Sequence, residues 1–289
     1  MKKILVTGAN GQLGSEIKEI ASNYPQFDFI FTDIADFPLD QTEVIVSNFK
    51  SIQPDVVINC AAYTAVDKAE QDQVVADAIN HLAIATLATL CSESGAQLVH
   101  ISTDYVFDGA SPVAYTEEDQ PNPKSVYGVT KLAGETACLK NCPDSIIIRT
   151  AWVYSEFGNN FVKTMLRLMS ERDSLNVVND QVGSPTYAAD LAQVILTILD
   201  SNKWVSGIYH YSNAGEISWF DFAQDIKEIA NKNCEIKGIP ASDYPTPAER
   251  PAYSLLDKTK IKAVYGIEAV DYKISLKKMM NRLQAADSR

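Results

Sequence analysis

The sequence predicts an α/β fold: a Rossmann-type, doubly wound parallel sheet joined to a smaller mixed α/β C-terminal part. Short apolar, β-branched runs alternate with amphipathic segments over the first half of the chain, as in parallel sheets covered by helices. The first run, residues 3–7, ends in a glycine-rich turn, and the composition changes after Tyr154. We therefore predict one domain at residues 1–154 and a smaller part at 155–289, interleaved with the last sheet strands.

The glycine-rich turn carries Gly8, Gly11 and Gly14 between a strand and a helix. In dinucleotide-binding proteins one glycine permits the tight turn, a second lets the backbone approach the pyrophosphate, and a third lets helix and strand pack closely. The helix N-terminus adds a favourable dipole for phosphate. This order predicts a dinucleotide site.

The second strand is predicted at residues 27–32 and ends at Asp33. An acidic residue about 20 positions after the glycines usually takes the ribose hydroxyls and repels a 2′-phosphate. The position favours NADH and leaves NADPH open, and an ordinary turn residue is the alternative. Asp40 precedes a helix predicted near Gln41, so it either caps that helix or meets the adenine.

Two further strands are predicted at residues 54–60 and 97–102, separated by a long helix at 73–94 that carries Asn80. The small residues Ala61 and Ala62 follow one strand, and Thr103 with Asp104 follows the other. Ligands bind at the carboxyl ends of strands in open α/β sheets. These positions are therefore suited to a cofactor and to polar chemistry.

Tyr127 and Lys131 form the candidate catalytic pair. Ser125 is predicted to cap a helix that runs to about residue 140, which places the two side chains one turn apart, about 5–6 Å at Cβ. A neighbouring ammonium lowers the pKa of a phenol, normally near 10, toward the pH at which acid–base catalysis works. The alternative for an isolated Tyr/Lys pair is a solvated helix face.

The remaining predicted elements are strands at 145–150, 175–178 and 207–211, and helices at 160–171, 188–199 and 218–231.

The formal net charge of −12 argues against a nucleic-acid partner. No continuous apolar run is long enough to cross a membrane. Five cysteines and three histidines form no ligand pattern, so we expect reduced thiols, no metal site and a cytoplasmic protein.

Several segments carry a resemblance to a known family. They are the glycine turn, 64–70 (TAVDKAE), 102–108 (STDYVFD), 126–135 (VYGVTKLAGE), 149–154 (RTAWVY), 158–161 (GNNF), 179–181 (NDQ) and 244–247 (YPTP). Together they resemble the dTDP-4-dehydrorhamnose reductases, a family of extended short-chain dehydrogenase/reductases. The resemblance extends from residue 3 to about 284.

The resemblance implies a role for each matching position. Thr103 would orient the substrate carbonyl, Tyr127 would protonate it, and Lys131 would bind the nicotinamide ribose and tune Tyr127. The implied cofactor contacts are Gly8, Gly11, Gln12, Leu13 and Gly14 at the pyrophosphate, Asp33, Leu39 and Asp40 at the adenosine, and Ala61, Ala62 and Tyr63 along the nicotinamide half. The implied substrate contacts are Thr64, Val66, Asp104 and Trp152 at the deoxyhexose, with Asn160, Lys163 and Arg250 at the nucleotide diphosphate.

The implied reaction is hydride transfer from NADPH or NADH to the C4 carbonyl of a dTDP-6-deoxy-4-keto sugar. The family also contains dimers joined through magnesium, and Glu16 and Asp190 fall at matching positions. Aspartate is shorter than the expected glutamate, so we predict no metal, and either a monomer or a homodimer. Two alternatives stay open: a sugar-nucleotide epimerase or dehydratase, and a regulatory subunit resembling that of methionine adenosyltransferase.

Overall fold

The computed structural model describes residues 1–201 and 203–287; residues 202, 288 and 289 of the predicted C-terminal part lie outside the described residues. The strands are β1 (Lys2–Thr7), β2 (Phe27–Phe31), β3 (Val56–Asn59), β4 (Gln97–Thr103), β5 (Ile146–Thr150), β6 (Val153–Tyr154), β7 (Ser174–Val178), β8 (Val182–Gly183), β9 (Thr186–Tyr187), β10 (Gly207–His210), β11 (Ile217–Ser218) and β12 (Glu235–Ile239).

Most of the helices lie between these strands, and the last two follow β12. They are α1 (Gln12–Ile20), α2 (Thr42–Ile52), α3 (Val66–Ala69), α4 (Gln73–Asp77), α5 (Ala83–Ser94), α6 (Val126–Asn141), α7 (Phe161–Glu171), α8 (Ala188–Asp200), α9 (Trp219–Ile229), α10 (Thr259–Tyr265) and α11 (Tyr272–Asp287). The described residues also contain short 3₁₀ turns at Ala21–Asn23, Asp104–Val106 and Ala241–Asp243, and a π-helical turn at Ala78–Leu82.

The main sheet has six parallel strands in the order β2-β1-β3-β4-β5-β10. The connections reverse direction between β1 and β3, which makes this gap the switch point where ligands bind in such sheets. The doubly wound parallel sheet predicted from the sequence is confirmed.

Both faces of the sheet are buried, which explains its uninterrupted apolar runs. Ile4 and Val6 face one core cluster, which α1 and α8 complete, whereas Leu5 faces a second cluster formed with α2, α5 and α6. All three β1 residues are fully buried. A strand with a polar face could not fill both layers.

The predicted long helix is continuous from Gln73 to Ser94, with a π-helical turn at Ala78–Leu82 between α4 and α5. By length and composition it is the one helix in residues 1–201 and 203–287 that is long and apolar enough to span a membrane. Six side chains of α5 are nevertheless buried, and several of them lie in the core cluster beneath the sheet. The helix is therefore part of the core, as in many soluble proteins.

The chain after Tyr154 contributes to two places. Helix α8 and strand β10 belong to the main layers, whereas α7, α9 and α11 surround a third core cluster with β7 and β12. The pairing of β7 with β12 is parallel, and β12 was not expected from the sequence. The division into two parts at residue 154, with its interleaving, stays a prediction. All five cysteines are free thiols.

Candidate active site

The glycine turn lies at the switch point. Gly8 has a φ of +64° and approaches the segment after β3 so closely that a Cβ would lie 2.8 Å from the Cα of Ala61, so only glycine fits here. Gly11 is the N-cap of α1, and no side chain caps this helix end. The N–H groups of the first turn of α1 therefore have no side-chain cap, and they can bind an anion.

Gln12 links the glycine turn to the C-terminal part of the chain. Its Nε2 donates to the carbonyl of Val153 (3.3 Å), and its Oε1 accepts from Nδ2 of Asn160 (3.0 Å). Asn160 also caps α7, because its Oδ1 accepts from the backbone N–H of Lys163 (3.1 Å). Leu13 is buried in the core, so its implied cofactor contact is limited to its backbone.

The predicted adenosine residues differ in their surroundings. Asp33 is half-buried and accepts backbone N–H bonds from Asn10 (2.7 Å) and Ile34 (2.8 Å), which fixes its carboxylate beside the glycine turn. Leu39 packs into the core. Asp40 is exposed, and the N-cap of α2 is Gln41 without a side-chain bond. The alternative that Asp40 caps this helix is therefore wrong.

The segment after β3 is held by Asn80, a buried amide on the π-helical turn. Its Oδ1 accepts from the N–H of Tyr63 (2.8 Å), and its Nδ2 donates to the carbonyl of Tyr63 (3.1 Å) and to Thr130 (3.2 Å). The role of Asn80 was not predicted from the sequence. A lone asparagine in an apolar helix is the signal that points to it, because a buried amide needs partners.

Tyr127 sits in the first turn of α6. Ser125 caps this helix as predicted, since its hydroxyl accepts from the N–H of Gly128 (3.2 Å). Thr103 lies at the end of β4 and donates to Oδ1 of Asp104 (3.0 Å). Burial raises the pKa of Tyr127 to about 12, and the nearby hydroxyl of Thr103 opposes this shift. Threonine and tyrosine hydroxyls thus meet at the carboxyl end of the sheet.

Lys131 does not act on Tyr127 as the sequence analysis expected. Its Nζ donates to the carbonyl of Ile101 (2.6 Å) and lies 3.4 Å from Nε2 of His100. Lys131 is buried, and burial lowers its pKa to about 8, against the charge of Glu135. The prediction of a lowered phenol pKa is therefore wrong here: burial dominates at Tyr127, and the ammonium is directed at the sheet.

Asp104 is also buried in this cluster. Burial raises its pKa to about 6, against the hydrogen bond from Thr103 and the nearby hydroxyl of Ser254. A carboxyl group with this pKa changes its protonation close to neutral pH, next to the two hydroxyl groups. The predicted position of Asp104 at the substrate side of the sheet therefore carries acid–base potential as well.

Trp152 lies two residues after Thr150, which is paired with Thr103 in the strand register. It has a φ of +49°, a left-handed conformation rare outside glycine, and its ring stacks on Trp219 with centroids 3.6 Å apart. Trp219 is the first residue of α9 and also contacts Phe161 at 4.6 Å. Trp219 was not predicted from the sequence; the signal that points to it is an aromatic residue directly after a helix cap.

Comparisons with known proteins agree with this geometry. The family model described as the RmlD substrate binding domain matches residues 1–285. A dTDP-4-dehydrorhamnose reductase of Sinorhizobium fredii is 40% identical, covering 96% of both chains. This chain belongs to the dTDP-4-dehydrorhamnose reductase family.

Solved structures support the same assignment. The Clostridium acetobutylicum dTDP-4-dehydrorhamnose reductase superposes with a TM-score of 0.94 and 42% identity, covering 98% of this chain and 99% of that one. The Bacillus anthracis reductase, solved in complex with NADP, gives 0.93 and 36%, covering 98% and 100%. The similarity therefore includes both parts of the molecule.

The basic residues predicted to bind the nucleotide diphosphate are engaged within this family member. Both terminal nitrogens of Arg250 bind the carboxylate of Asp67, at 3.0 and 2.8 Å, which ties the Pro-rich loop to α3. Lys163 donates to the carbonyls of Glu156 (3.0 Å) and Gly158 (2.7 Å). Their ligand roles stay predictions, as do those of Thr64, which is exposed, and Val66, which is half-buried.

Glu16 and Asp190, the two acidic residues at positions matching the family's magnesium site, have different partners. Glu16 is buried and pairs with Arg282 (3.1 Å) and the Ser155 hydroxyl (2.7 Å), while Asp190 accepts from Asn213 (2.7 Å). Burial raises the pKa of Glu16 to about 7. Over residues 1–201 and 203–287, no group of three acidic, histidine or cysteine side chains is arranged to hold a metal ion.

Proposed function

We propose that this protein reduces the C4 keto group of dTDP-4-dehydro-L-rhamnose to give dTDP-L-rhamnose, with NADPH or NADH as the hydride donor. The observation that carries the proposal is the meeting of Thr103, Asp104 and Tyr127 at the carboxyl end of β4, next to the switch-point glycines. Family membership supplies the substrate class.

The residues present fit a dinucleotide. A Cβ would fill the space above Gly8, and the first turn of α1 offers N–H groups that no side chain caps. Gly8, Gly11, Gly14 and the backbone of Leu13 would hold the pyrophosphate, with Asp33 at the ribose. When bound, the nicotinamide supplies the hydride. The Bacillus anthracis relative was solved with NADP, and we propose that this chain accepts either cofactor.

The protein's own part in the reaction is to place the ketone and supply a proton. A phenol with a pKa of about 12 stays protonated at neutral pH, so Tyr127 acts as the general acid toward the developing alkoxide. The Thr103 hydroxyl orients the carbonyl, and the Trp152–Trp219 stack gives the deoxyhexose an apolar wall. We propose that Ala61, Ala62 and Tyr63 lie along the cofactor.

The test is an assay with dTDP-4-dehydro-L-rhamnose that follows NADPH and NADH oxidation separately and identifies the sugar product. We expect one equivalent of cofactor oxidised per sugar reduced, and loss of about 10²–10⁴ in kcat for Tyr127→Phe. An epimerase or dehydratase would recycle its cofactor without net oxidation. A regulatory subunit would show no turnover and would bind a synthetase in equal amounts, so either result would contradict the proposal.

The remaining partner assignments extend this proposal. We propose a cytoplasmic enzyme, monomeric or homodimeric, whose partner is the dTDP-sugar and not a nucleic acid or a membrane. The acidic net charge of −12 supports the exclusion of nucleic acid. Sedimentation of the purified protein, with and without lipid vesicles, tests the oligomeric state and the membrane assignment together.

A further inference from the structure

A buried row of polar side chains crosses the main sheet behind Lys131. Thr7, Asn59 and His100 are direct neighbours on β1, β3 and β4 in the strand register. The Thr7 hydroxyl donates to Oδ1 of Asn59 (2.6 Å), and Nδ2 of Asn59 lies 3.0 Å from Nδ1 of His100. The row ends at Lys131, and each of the four residues is at most 1% exposed.

A backbone carbonyl fixes the direction of these hydrogen bonds. The carbonyl of Ala61 only accepts, and it lies 3.2 Å from Nδ2 of Asn59. The amide nitrogen of Asn59 therefore faces both Ala61 and His100, so Nδ1 of His100 accepts. Because burial holds the pKa of His100 well below its usual value, the ring is neutral and its single proton is on Nε2.

The protonated Nε2 of His100 faces Lys131 across 3.4 Å. Nζ of Lys131 already donates to the carbonyl of Ile101. An N–H group directed at an ammonium is unfavourable, whereas a neutral amine has a lone pair that accepts it. The contact is therefore satisfied only when Lys131 has lost its proton.

We propose that His100, fixed as the Nε2–H form by Asn59, is a positioning residue that holds Lys131 and favours its neutral amine. The lysine then exchanges its proton with the active site more readily than a free lysine does. His100 acts through Lys131 and not on the substrate. The inference deepens the proposed function and rests on it only where activity is the readout.

Other titratable groups around Lys131 also affect its pKa. Glu135 and Cys138, on the same helix, favour the charged lysine, and Glu135 is itself paired with Arg149 on β5. Tyr127 precedes Lys131 by one turn. Among the side chains of the described residues, only that of His100 lies within hydrogen-bond distance of Nζ, and the other partner of Nζ is the backbone carbonyl of Ile101.

The first experiment reads the histidine directly and needs no turnover. In ¹⁵N-histidine-labelled protein, assigned by comparison with His100→Gln, we expect His100 to stay neutral with its proton on Nε2 between pH 6 and pH 9. A proton on Nδ1, or an imidazolium, overturns the inference. Should His100→Gln fail to fold, the same signal is assigned by elimination with His81→Gln and His210→Gln, since the chain has three histidines.

The second experiment compares two substitutions that differ in reach. The amide of His100→Gln reaches the level of Nε2 and can turn its oxygen toward Nζ, whereas that of His100→Asn reaches only the level of Nδ1. We expect His100→Gln to move the alkaline limb of kcat/KM up by about 1 pH unit, since hydrogen bonds to charged groups shift a pKa by this order, and His100→Asn to move it less.

His210→Gln is the matched control, because His210 is equally buried on β10 and contacts the carbonyl of Tyr115. Identical profiles for the two His100 variants, or an equal shift in the control, overturn the inference. If wild-type protein reduces no keto sugar, the proposed function fails while the NMR result still decides the role of His100. If it is active and the proton is on Nδ1, only this inference fails.

Discussion

The buried ion pair between Glu135 and Arg149 gives a quantitative test of how α6 is held in place. Glu135 lies one turn after Lys131, and its two oxygens accept from Nε and Nη2 of Arg149 at 2.9 and 2.7 Å. Both side chains are 2% exposed. Solvent does not screen such a pair, so the loss of one partner leaves an uncompensated buried charge.

The expected energies follow from this burial. Glu135→Leu and Arg149→Met should each lower the free energy of unfolding by about 3–5 kcal/mol, because each leaves one charge unpaired. The double variant should lie near the wild type, since two apolar side chains replace the whole pair. If each single substitution costs at least about 3 kcal/mol and the double variant costs almost nothing, the coupling energy between the two residues is about 6 kcal/mol or more.

Urea unfolding followed by circular dichroism at pH 7 measures these four proteins. The matched control is the i,i+4 pair of Arg167 and Glu171, whose side chains are 60% and 52% exposed; Glu171→Gln should change stability by about 0.5 kcal/mol or less. Additive single effects, with a double variant destabilised by their sum, would refute the reasoning that burial makes this pair cooperative.

Three further changes have defined outcomes. Tyr127→Phe should keep the unfolding free energy within about 1 kcal/mol while kcat falls by about 10²–10⁴; an unchanged kcat would remove the phenol from the mechanism. Trp219→Leu should raise KM for the sugar nucleotide about tenfold with kcat nearly unchanged, because it loses the stack that holds Trp152. Trp219→Phe should retain most of the affinity, and Trp204→Leu is the control. A lowered kcat with a normal KM would contradict the assignment of this stack as a wall of the sugar site. The folded-state pKa of Glu16 is raised from 4.5 to about 7, so its contribution is present below about pH 4.5 and lost as the pH rises to 7; Glu16→Gln should flatten wild-type stability over this window in thermal melts, and parallel curves would contradict the shift.

Much of the fold was predictable from the sequence because the signals are local. Strand ends in the main sheet agree with the predictions within two residues, since apolar β-branched runs bounded by polar or glycine residues leave little freedom. The cap at Ser125 was also predicted, and its hydroxyl accepts the expected backbone bond. β12 was missed because a five-residue strand containing glycine has a weak pattern.

The active-site chemistry was predicted only in part. Thr103, Tyr127 and Lys131 were predicted to share the site. The predicted lowering of the Tyr127 pKa was wrong. Helical spacing defines distance along α6, whereas the pKa of Tyr127 depends on burial, and the direction of Lys131 depends on the carbonyl of Ile101. Likewise, the partner of Arg250 lies 183 residues away at Asp67, which no local pattern reveals.

The amino-acid sequence by itself determined the parallel sheet, the glycine turn at its first strand and the helix that carries the phenol, because periodicity and backbone preference are properties of neighbouring residues. The tertiary structure alone decided that Trp219 supports Trp152, that Asn80 holds the segment after β3, and that His100 faces Lys131. These contacts join residues on different elements, and their hydrogen bonds and pKa values depend on which groups the folded chain buries together.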